Sequence, residues 1–535
     1  MTVLLLSFSE RTIMTKYLIK RILHGAFAVF VVVAIVMIMI YSLMDKQLIF
    51  AKDSNYTHQT NNAKVTYRYQ KWEDFGYLDY VTYADYINML VANGELAAED
   101  KSEVATIGRT ADKDSEAVAA KVAEFRKYYK KLGYKTKRLD AVMVKANKYA
   151  DGGQQVLYAY KNIPLSTRLW KYFSRLVRID NIHYAKGEIE NRGITFTLHD
   201  PVANGKLSPA IIGNGTQSKY LLYCDGDFPF IHQNVAKIRL GTSYTVNQGV
   251  DVWDTMNTKQ GSYVKSTITY PTGLVESSAD NLHSATYVEN SLSSSLVYTD
   301  RYVDDYTSVS TVKNGKSKMG YSFIIGLLSV IMAYVLGLPL GVYMARHKDK
   351  LGDKLGTFYI VFISAVPSLA YIFLFKAVGG KLGLPTTFDL ENARKLMYIL
   401  PIISLGLPSV ASLMKWMRRY MIDQMNSDYV KFARSGGLSE TEIFVKHIVK
   451  NAMIPLVHGI PASILFSMTG AIITERVYVV PGAGNLLTEA INKYDNGVIV
   501  GVTLFYAVLS VIALILGDVL MAMVDPRISF TDKAR

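Results

Sequence analysis

Six stretches of this chain stay mostly apolar for about 18 residues or more, and none holds an Asp, Glu, Lys or Arg: Ile22–Leu43, Met319–Met344, Leu355–Phe375, Leu396–Leu413, Leu456–Thr474 and Val498–Leu516. At about 1.5 Å of rise per residue, each run as a helix crosses a hydrocarbon core roughly 30 Å thick. In lipid the backbone N–H and C=O groups must be satisfied within the protein, which leaves helices as the form these runs can take. The expected fold class is an all-α polytopic membrane domain of six transmembrane helices. Ionisable residues stand at or just beyond the run ends, as Lys376, Lys415, Glu475 and Asp518 do.

Half of the residues are hydrophobic, more than a soluble core requires. A net charge of +14 would suit nucleic acid, but the excess is spread along the chain and gathers at run ends, as membrane topology demands. The first run follows Lys16, Lys20 and Arg21 and lacks a small-residue cleavage site. It is expected to remain as an anchor with its basic flank inside. MTKYLIKRIL, from Met14, is a more ordinary start for such an anchor than MTVLLLSFSERTI, so translation from Met14 is the expectation. Six crossings put both termini in the cytoplasm, and the short inner pieces hold the larger share of Lys and Arg.

Three regions follow: 1–44 as N-terminal segment and first span, 45–318 outside the cell, and 319–535 as a five-helix core. The outer segment is long enough for a core of its own. Leu96–Tyr149 reads as helical, with apolar residues at helical spacing in VAAKVAEFRKYYKKL. GITFTLHD, SKYLLYC, SYTVNQGV, SYVKSTITY and SLVYTDRYV read as strands between turn residues. SVSTVKNGKSKMG reads as a polar linker into the second span. The expectation is a large inserted α/β extracellular domain.

The spans carry no source of energy. Ion-coupled transporters and voltage sensors place ionisable or broken-helix sites near mid-membrane, and these runs have no Asp, Glu, Lys or Arg. Gly337, Pro339, Gly341, Pro367, Pro401, Gly406, Pro408, Pro461 and Gly470 fit ordinary kinks and close helix packing, or a pore wall that flexes. GKS at Gly315–Ser317 lacks the upstream glycine of a phosphate-binding loop, since Ser310 stands there. No HExxH, CxxC or GxSxG occurs, and His24, His347, His447 and His458 lack ligand spacing. Cys224 is the sole cysteine, read as a half-buried small residue. The chain reads as a conduit without metal, cofactor or catalytic residues.

One polar stretch between the fourth and fifth runs stands out, YVKFARSGGLSETEIFVKHIVKNAMIP over Tyr429–Pro455. It reads as two short helices broken at Gly436-Gly437. Ser439 can cap the second, and Glu442 three residues later completes a capping box. His447, Asn451 and Pro455 recur every four residues and share a helix face, with Pro455 near the first turn of the next span, where a missing N–H costs little. Alone this could be a satisfied interfacial helix.

DYVKFARSGGLSETEIFVKHIVKNAMIPL resembles the coupling loop of the oligopeptide, dipeptide and nickel branch of ATP-binding-cassette (ABC) importer permeases. ITERVYVVPGAGNLLTEAINKYD (Ile473–Asp495) looks like that branch's outer segment, and DVLMAMVDPRI (Asp518–Ile528) like its C-terminal signature. LGLPLGVYMARHK (Leu336–Lys348) resembles the inner end of its second span, and LGTSY (Leu240–Tyr244) a short outer motif before it. The likeness is to the B-type oligopeptide permease subunits, streptococcal ones with an enlarged ectodomain in particular. The general loop has Glu-Ala-Ala where this chain has Lys431, Phe432 and Ala433, so the last position alone agrees.

The resemblance implies half of a translocation pore in the cell membrane of a Gram-positive bacterium. A second permease would complete the pore, and two cytoplasmic ATPases holding ATP and Mg would power it. An extracellular peptide-binding lipoprotein would deliver substrate. It implies an ATPase-coupling role for Ala433, Gly437, Leu438, Ser439, Glu440 and Thr441, with His447, Asn451 and Pro455 on the following helix. Glu475, Pro481, Gly482 and Gly484 would belong to an outer gate or to the lipoprotein's landing surface, Glu475 being more a packing contact. The rival from the residues alone is a membrane-anchored sensor whose ectodomain binds ligand; it needs a signalling domain that the short tail after Asp525 does not offer.

Overall fold

The computed structural model describes residues 8–107, 116–145, 148–149, 155–180, 192–200, 202, 206–224, 231–287, 296–302, 306–313, 315–390 and 394–524. Asp525, Pro526, Arg527 and the end of the C-terminal motif lie outside them. Among the described residues four helices are long and apolar enough to cross a membrane: Lys16–Leu43, Lys318–Arg346, Lys395–Met425 and Asn496–Val524. Two further pairs of apolar helices are bent at a short break, Leu351–Ala365 with Ser368–Lys381 at 112°, and Glu440–His458 with Ile460–Ser467 at 44°. The total is up to 6 if each pair is one span.

Those breaks correct the expectation of unbroken spans over Leu355–Phe375 and Leu456–Thr474. The first falls at Val366-Pro367, where Val366 is extended (φ −82°, ψ 130°). Proline's ring excludes α geometry from the residue before it. The second falls at Gly459, with Pro461 opening the next helix. Ile472–Tyr478 then forms a separate short helix, ended by Val479 in the left-handed region at φ 58°.

The helices Lys318–Arg346 and Ile399–Met425 pack closely along most of their length. Gly337 and Gly341 lie against Val410, Leu413, Met414 and Met417, and Gly406 against Ser329. Small residues let the backbones approach where lipid gives helices no hydrophobic drive to associate. Arg418 grips Asp353 with two hydrogen bonds of 2.6 and 2.7 Å. The first and last spans are joined by Arg21 and Asp518, 2.8 Å apart.

The inserted region is α/β. A three-stranded antiparallel sheet has Val156–Asn162 between Leu78–Thr82 and Lys135–Leu139. Helices Tyr83–Ala92 and Glu116–Lys131 cover it through Tyr86, Ile87, Val122, Phe125 and Leu157. A four-stranded sheet follows in the order Ile231–Gln233, Tyr220–Cys224, Ala210–Asn214, Gly193–Thr197. Cys224 is half-buried.

Several local expectations change. Lys101–Ile107 and Glu116–Lys131 are helical, but Lys135–Leu139, Met143–Lys145 and Lys148–Tyr149 are strands. The lysines there mimic a helical composition, while pairing with Val156–Asn162 decides the conformation of Lys135–Leu139. GITFT, YLLYC and STIT are strands as expected. SLVYTDRYV instead holds the helix Leu296–Arg301. The linker begins as part of the strand Tyr306–Thr311, paired with Asp280–Tyr287, and ends at Ser317, whose hydroxyl accepts from the Gly320 N–H to cap the next span. SYTVNQGV is a loop in which the N–H groups of Tyr244, Thr245 and Val246 donate to one carboxylate, Asp495.

Candidate functional site

The polar hairpin forms as its sequence dictates. Helix Asp428–Ser435 ends at Gly436, and Gly437 takes φ 81°, a left-handed geometry that costs glycine little. The Gly437 N–H donates to the Arg434 carbonyl (3.1 Å) and the Leu438 N–H to that of Ala433 (3.3 Å), satisfying the end of the helix. Ser439 then caps the second helix, its hydroxyl oxygen accepting from the Glu442 N–H at 3.3 Å while the Glu442 carboxylate accepts from the Ser439 N–H at 3.4 Å. Arg434 closes the turn from outside with hydrogen bonds of 2.5 and 3.0 Å to Glu440.

The second helix is not a separate short rod. It runs from Glu440 to His458, through a π-helical stretch at Ile443–Val449, into the span. Pro455 therefore sits inside a helix, costing it one backbone hydrogen bond, rather than in a first turn. Val430, Ile443 and Ile448 anchor the hairpin in a buried cluster with Met417, Met421 and Ala345. Ala345 lies near the C-terminal end of Lys318–Arg346 and the inserted domain enters that helix at its N-terminal end, so the hairpin and the domain occupy opposite ends of it.

Of the residues singled out in the sequence, Ala433, Leu438, His447 and Asn451 meet in a surface cleft of about 600 Å³, together with Tyr429, Phe432 and Lys450. Gly437, Ser439, Glu440 and Thr441 are exposed at its tip, and Pro455 is not among the lining residues. Phe432 is 80% exposed, a large apolar ring at the rim of a polar turn. Tyr429 organises the cleft: its hydroxyl donates to Gln424 Oε1 (2.6 Å) and accepts from Asn451 Nδ2 (3.1 Å). Tyr429 and the Arg434–Glu440 pair escaped the sequence reading. Opposite charges flanking a Gly-Gly turn were the available signal for the pair, and nothing local signals the tyrosine.

At the other end of the spans, Glu475 is 1% exposed. It accepts from the Ser322 hydroxyl (2.5 Å) and the Asn485 N–H (3.1 Å), and Ser322 accepts from the Ala483 N–H (2.8 Å). Gly482, which caps the helix Ala483–Asn492, brings no side chain to its free N–H groups; Glu475 supplies the anion that this helix start favours. A Cβ on Gly482 would collide with that carboxylate, and one on Gly484 would crowd it. Both glycines are buried and Pro481 is half-buried. The geometry is that of packing within the chain.

Asp495, 0% exposed, was not singled out. Its Oδ2 accepts from the Ser243 hydroxyl (2.7 Å) and the N–H groups of Thr245 (2.8 Å) and Val246 (2.9 Å). Its Oδ1 accepts from the N–H groups of Tyr244 (2.9 Å) and Val498 (3.0 Å). The inserted domain is thereby fastened to the start of the last span. Among the described residues no His, Cys, Asp and Glu cluster could hold a metal ion.

Residues 337–530 match the family described as binding-protein-dependent transport system inner membrane component. The oligopeptide transport system permease protein AmiC of Streptococcus pneumoniae is 33% identical over 527 residues, 97% of this chain and 99% of that protein. That similarity therefore runs through the inserted domain. The dipeptide transport system permease protein DppB of Bacillus subtilis is 30% identical over 215 residues, 40% of this chain and 68% of that protein.

Proposed function

The chain belongs to the binding-protein-dependent transport system inner membrane component family and is a multi-pass permease subunit of an ABC importer; on that premise we propose that it forms half of an oligopeptide pore driven through its 429–455 loop. A second, homologous permease supplies the other half. Two cytoplasmic ATPases bind ATP and Mg and grip the hairpin at Gly437–Thr441, and an extracellular peptide-binding lipoprotein loads the pore. The spans number six, the termini are cytoplasmic, residues 45–318 are extracellular, residues 319–535 form the pore half, and the host is a Gram-positive bacterium. Oligopeptide as substrate rests on the likeness to AmiC.

The observation that carries this reading is mechanical. The capped, exposed turn is continuous with Glu440–His458, so a grip on Thr441 is carried along one helix as far as the break at Gly459. Ala433, Leu438, His447 and Asn451 line the groove beside that turn, where an ATPase element would seat. Glu475, Pro481, Gly482 and Gly484 brace the opposite end, and exposed neighbours such as Val479 and Asn485 offer the lipoprotein a surface.

The test is a Thr441→Cys crosslink in a Cys224→Ser background, made in the assembled complex. A crosslink to an ATPase subunit whose yield changes on adding ATP and Mg supports the reading. A thiol at position 441 that is freely alkylated in actively transporting vesicles, with and without ATP, overturns it.

A further inference from the structure

The inserted domain does not stand clear of the spans. Its helix Leu165–Ser174 has no fully buried residue, yet Leu169, Tyr172 and Phe173 pack on a cluster that includes Val33, Met37 and Ile40 of the first span and Leu504 of the last. The Arg168 guanidinium lies 3.7 Å from the ring centre of Tyr41. Five residues on, Phe173 meets Phe30 with ring centres 4.9 Å apart. Phe30 lies about 20 Å along the helix axis from Leu43, where the first span ends. The helix therefore descends beside the first span, from the level of Tyr41 toward that of Phe30, within the depth of a layer roughly 30 Å thick.

The side of this helix turned away from the spans is uncovered. Trp170 is 75% exposed, and Lys171 and Arg175 are exposed with it. The chain passes directly into a two-stranded ribbon, Val177–Ile179 paired with Ala236–Ile238. Val177 lies opposite Ile238, and Ile179 shares their face by the two-residue period of a strand. Their exposures are 57%, 43% and 76%. An aromatic ring, a branched aliphatic face and flanking cations are the composition that settles at a membrane interface. Phe30 itself is 46% exposed on the first span, so the uncovered face continues from an exposed apolar side of that helix.

We propose that the helix Leu165–Ser174 and the ribbon Val177–Ile179 with Ala236–Ile238 are a membrane-seated foot, by which the inserted domain rests in the leaflet on its own side. Trp170, Val177, Ile179 and Ile238 enter the apolar layer. Lys171 and Arg175 extend their stems toward the surface and take phosphate headgroups of anionic phospholipid. The inserted domain is thus held by lipid as well as by Asp495, and its orientation over the pore depends on the bilayer.

The test uses the assembled complex in vesicles of phosphatidylglycerol and phosphatidylcholine, with Cys224→Ser and an environment-sensitive fluorophore on one new cysteine: Trp170→Cys, Ile179→Cys, Phe27→Cys on the first span, or Leu274→Cys at a hairpin of the domain. Brominated acyl chains are expected to quench the labels at 170, 179 and 27, and aqueous iodide the label at 274. Iodide quenching at 170 and 179 with lipid quenching at 27 overturns the foot; shielding of 170 and 179 from both quenchers means a protein covers the face and also overturns it. The proposal rests on the first helix being a span, and iodide quenching at 27 would sink that reading instead. Lys171→Glu with Arg175→Glu is expected to raise iodide quenching at 179 several-fold in phosphatidylglycerol vesicles, and an unchanged signal there overturns the headgroup contact.

Discussion

Replacing Gly437 separates two effects that are usually confounded. The residue sits at φ 81°, and a Cβ built on it meets no atom within 4 Å. In the chain alone, Gly437→Ala therefore adds no clash and incurs only the strain of the left-handed conformation, about 1–2 kcal/mol. That is roughly a five- to thirty-fold loss in the population of the closed turn. Gly437→Asn should recover much of it, because asparagine tolerates this region better than alanine. Gly437→Trp incurs a strain similar to alanine's, since the space around the Cβ is open.

In the complex the variants diverge. If a partner fills that open space, the indole must clash where a methyl does not, so tryptophan should abolish ATP-driven uptake while alanine weakens it. Hydrogen exchange of the Leu438 amide reads the turn, and uptake per assembled complex reads the coupling. The expected order is Gly, Asn, Ala for amide protection, with Trp level with Ala there and far below it in uptake. Equal uptake by Ala and Trp variants in fully assembled complexes would refute docking at Gly437. Asparagine no better protected than alanine would refute the strain argument.

Two other outcomes follow from the carboxylates. Asp495→Ala strands the Ser243 hydroxyl and four N–H groups, each worth about 1–3 kcal/mol when buried unpaired. Limited proteolysis should open the 240–250 segment while the spans stay inserted; an unchanged digestion pattern would contradict the clamp. In the inserted domain burial alone would raise Asp200, but hydrogen bonds from His283, the Val202 N–H and the Tyr220 hydroxyl outweigh it and hold the carboxyl below its ordinary value. A depressed folded-state value stabilises above the unfolded value and is lost as pH falls through the folded one. Acid melting of the domain below about pH 4 should lose part of its pH dependence in Asp200→Asn, and a superimposable profile would refute this.

What the sequence revealed was whatever is encoded locally. The Gly436-Gly437 break and the Ser439–Glu442 box depend on residues within a few positions, and both are in the structure, while four of the six apolar runs lie in single long helices and the other two in bent ones. Contacts between distant residues were not legible. SYTVNQGV alternates like a strand, yet three of its N–H groups donate to a carboxylate some 250 positions away. Lys135–Leu139 carries a helical composition and pairs into a sheet with Val156–Asn162. The breaks at Pro367 and Gly459 were present as letters, but their severity depends on what packs around them: one bends 112° and the other 44°.

Those long-range contacts also connect the two ends of the protein. The helix that begins just after the Gly436-Gly437 turn ends at His458, and the His458 carbonyl lies so close to Gly517 that a Cβ there would come within 2.8 Å of it. Gly517 belongs to the last span, Asn496–Val524, and Asp495 at the opposite end of that span holds Tyr244–Val246 of the inserted domain. A rotation imposed at Gly437 reaches Gly459, where the helix is already broken, and there it has two outcomes. Either the bend at Gly459 absorbs it, or the last span is displaced through Gly517 and carries the inserted domain with it. Close-packed protein interiors deform little, so the second outcome needs the domain free to move. A foot seated in lipid would resist that movement, favouring a hinge at Gly459 that opens the pore while the outer domain stays level on the membrane.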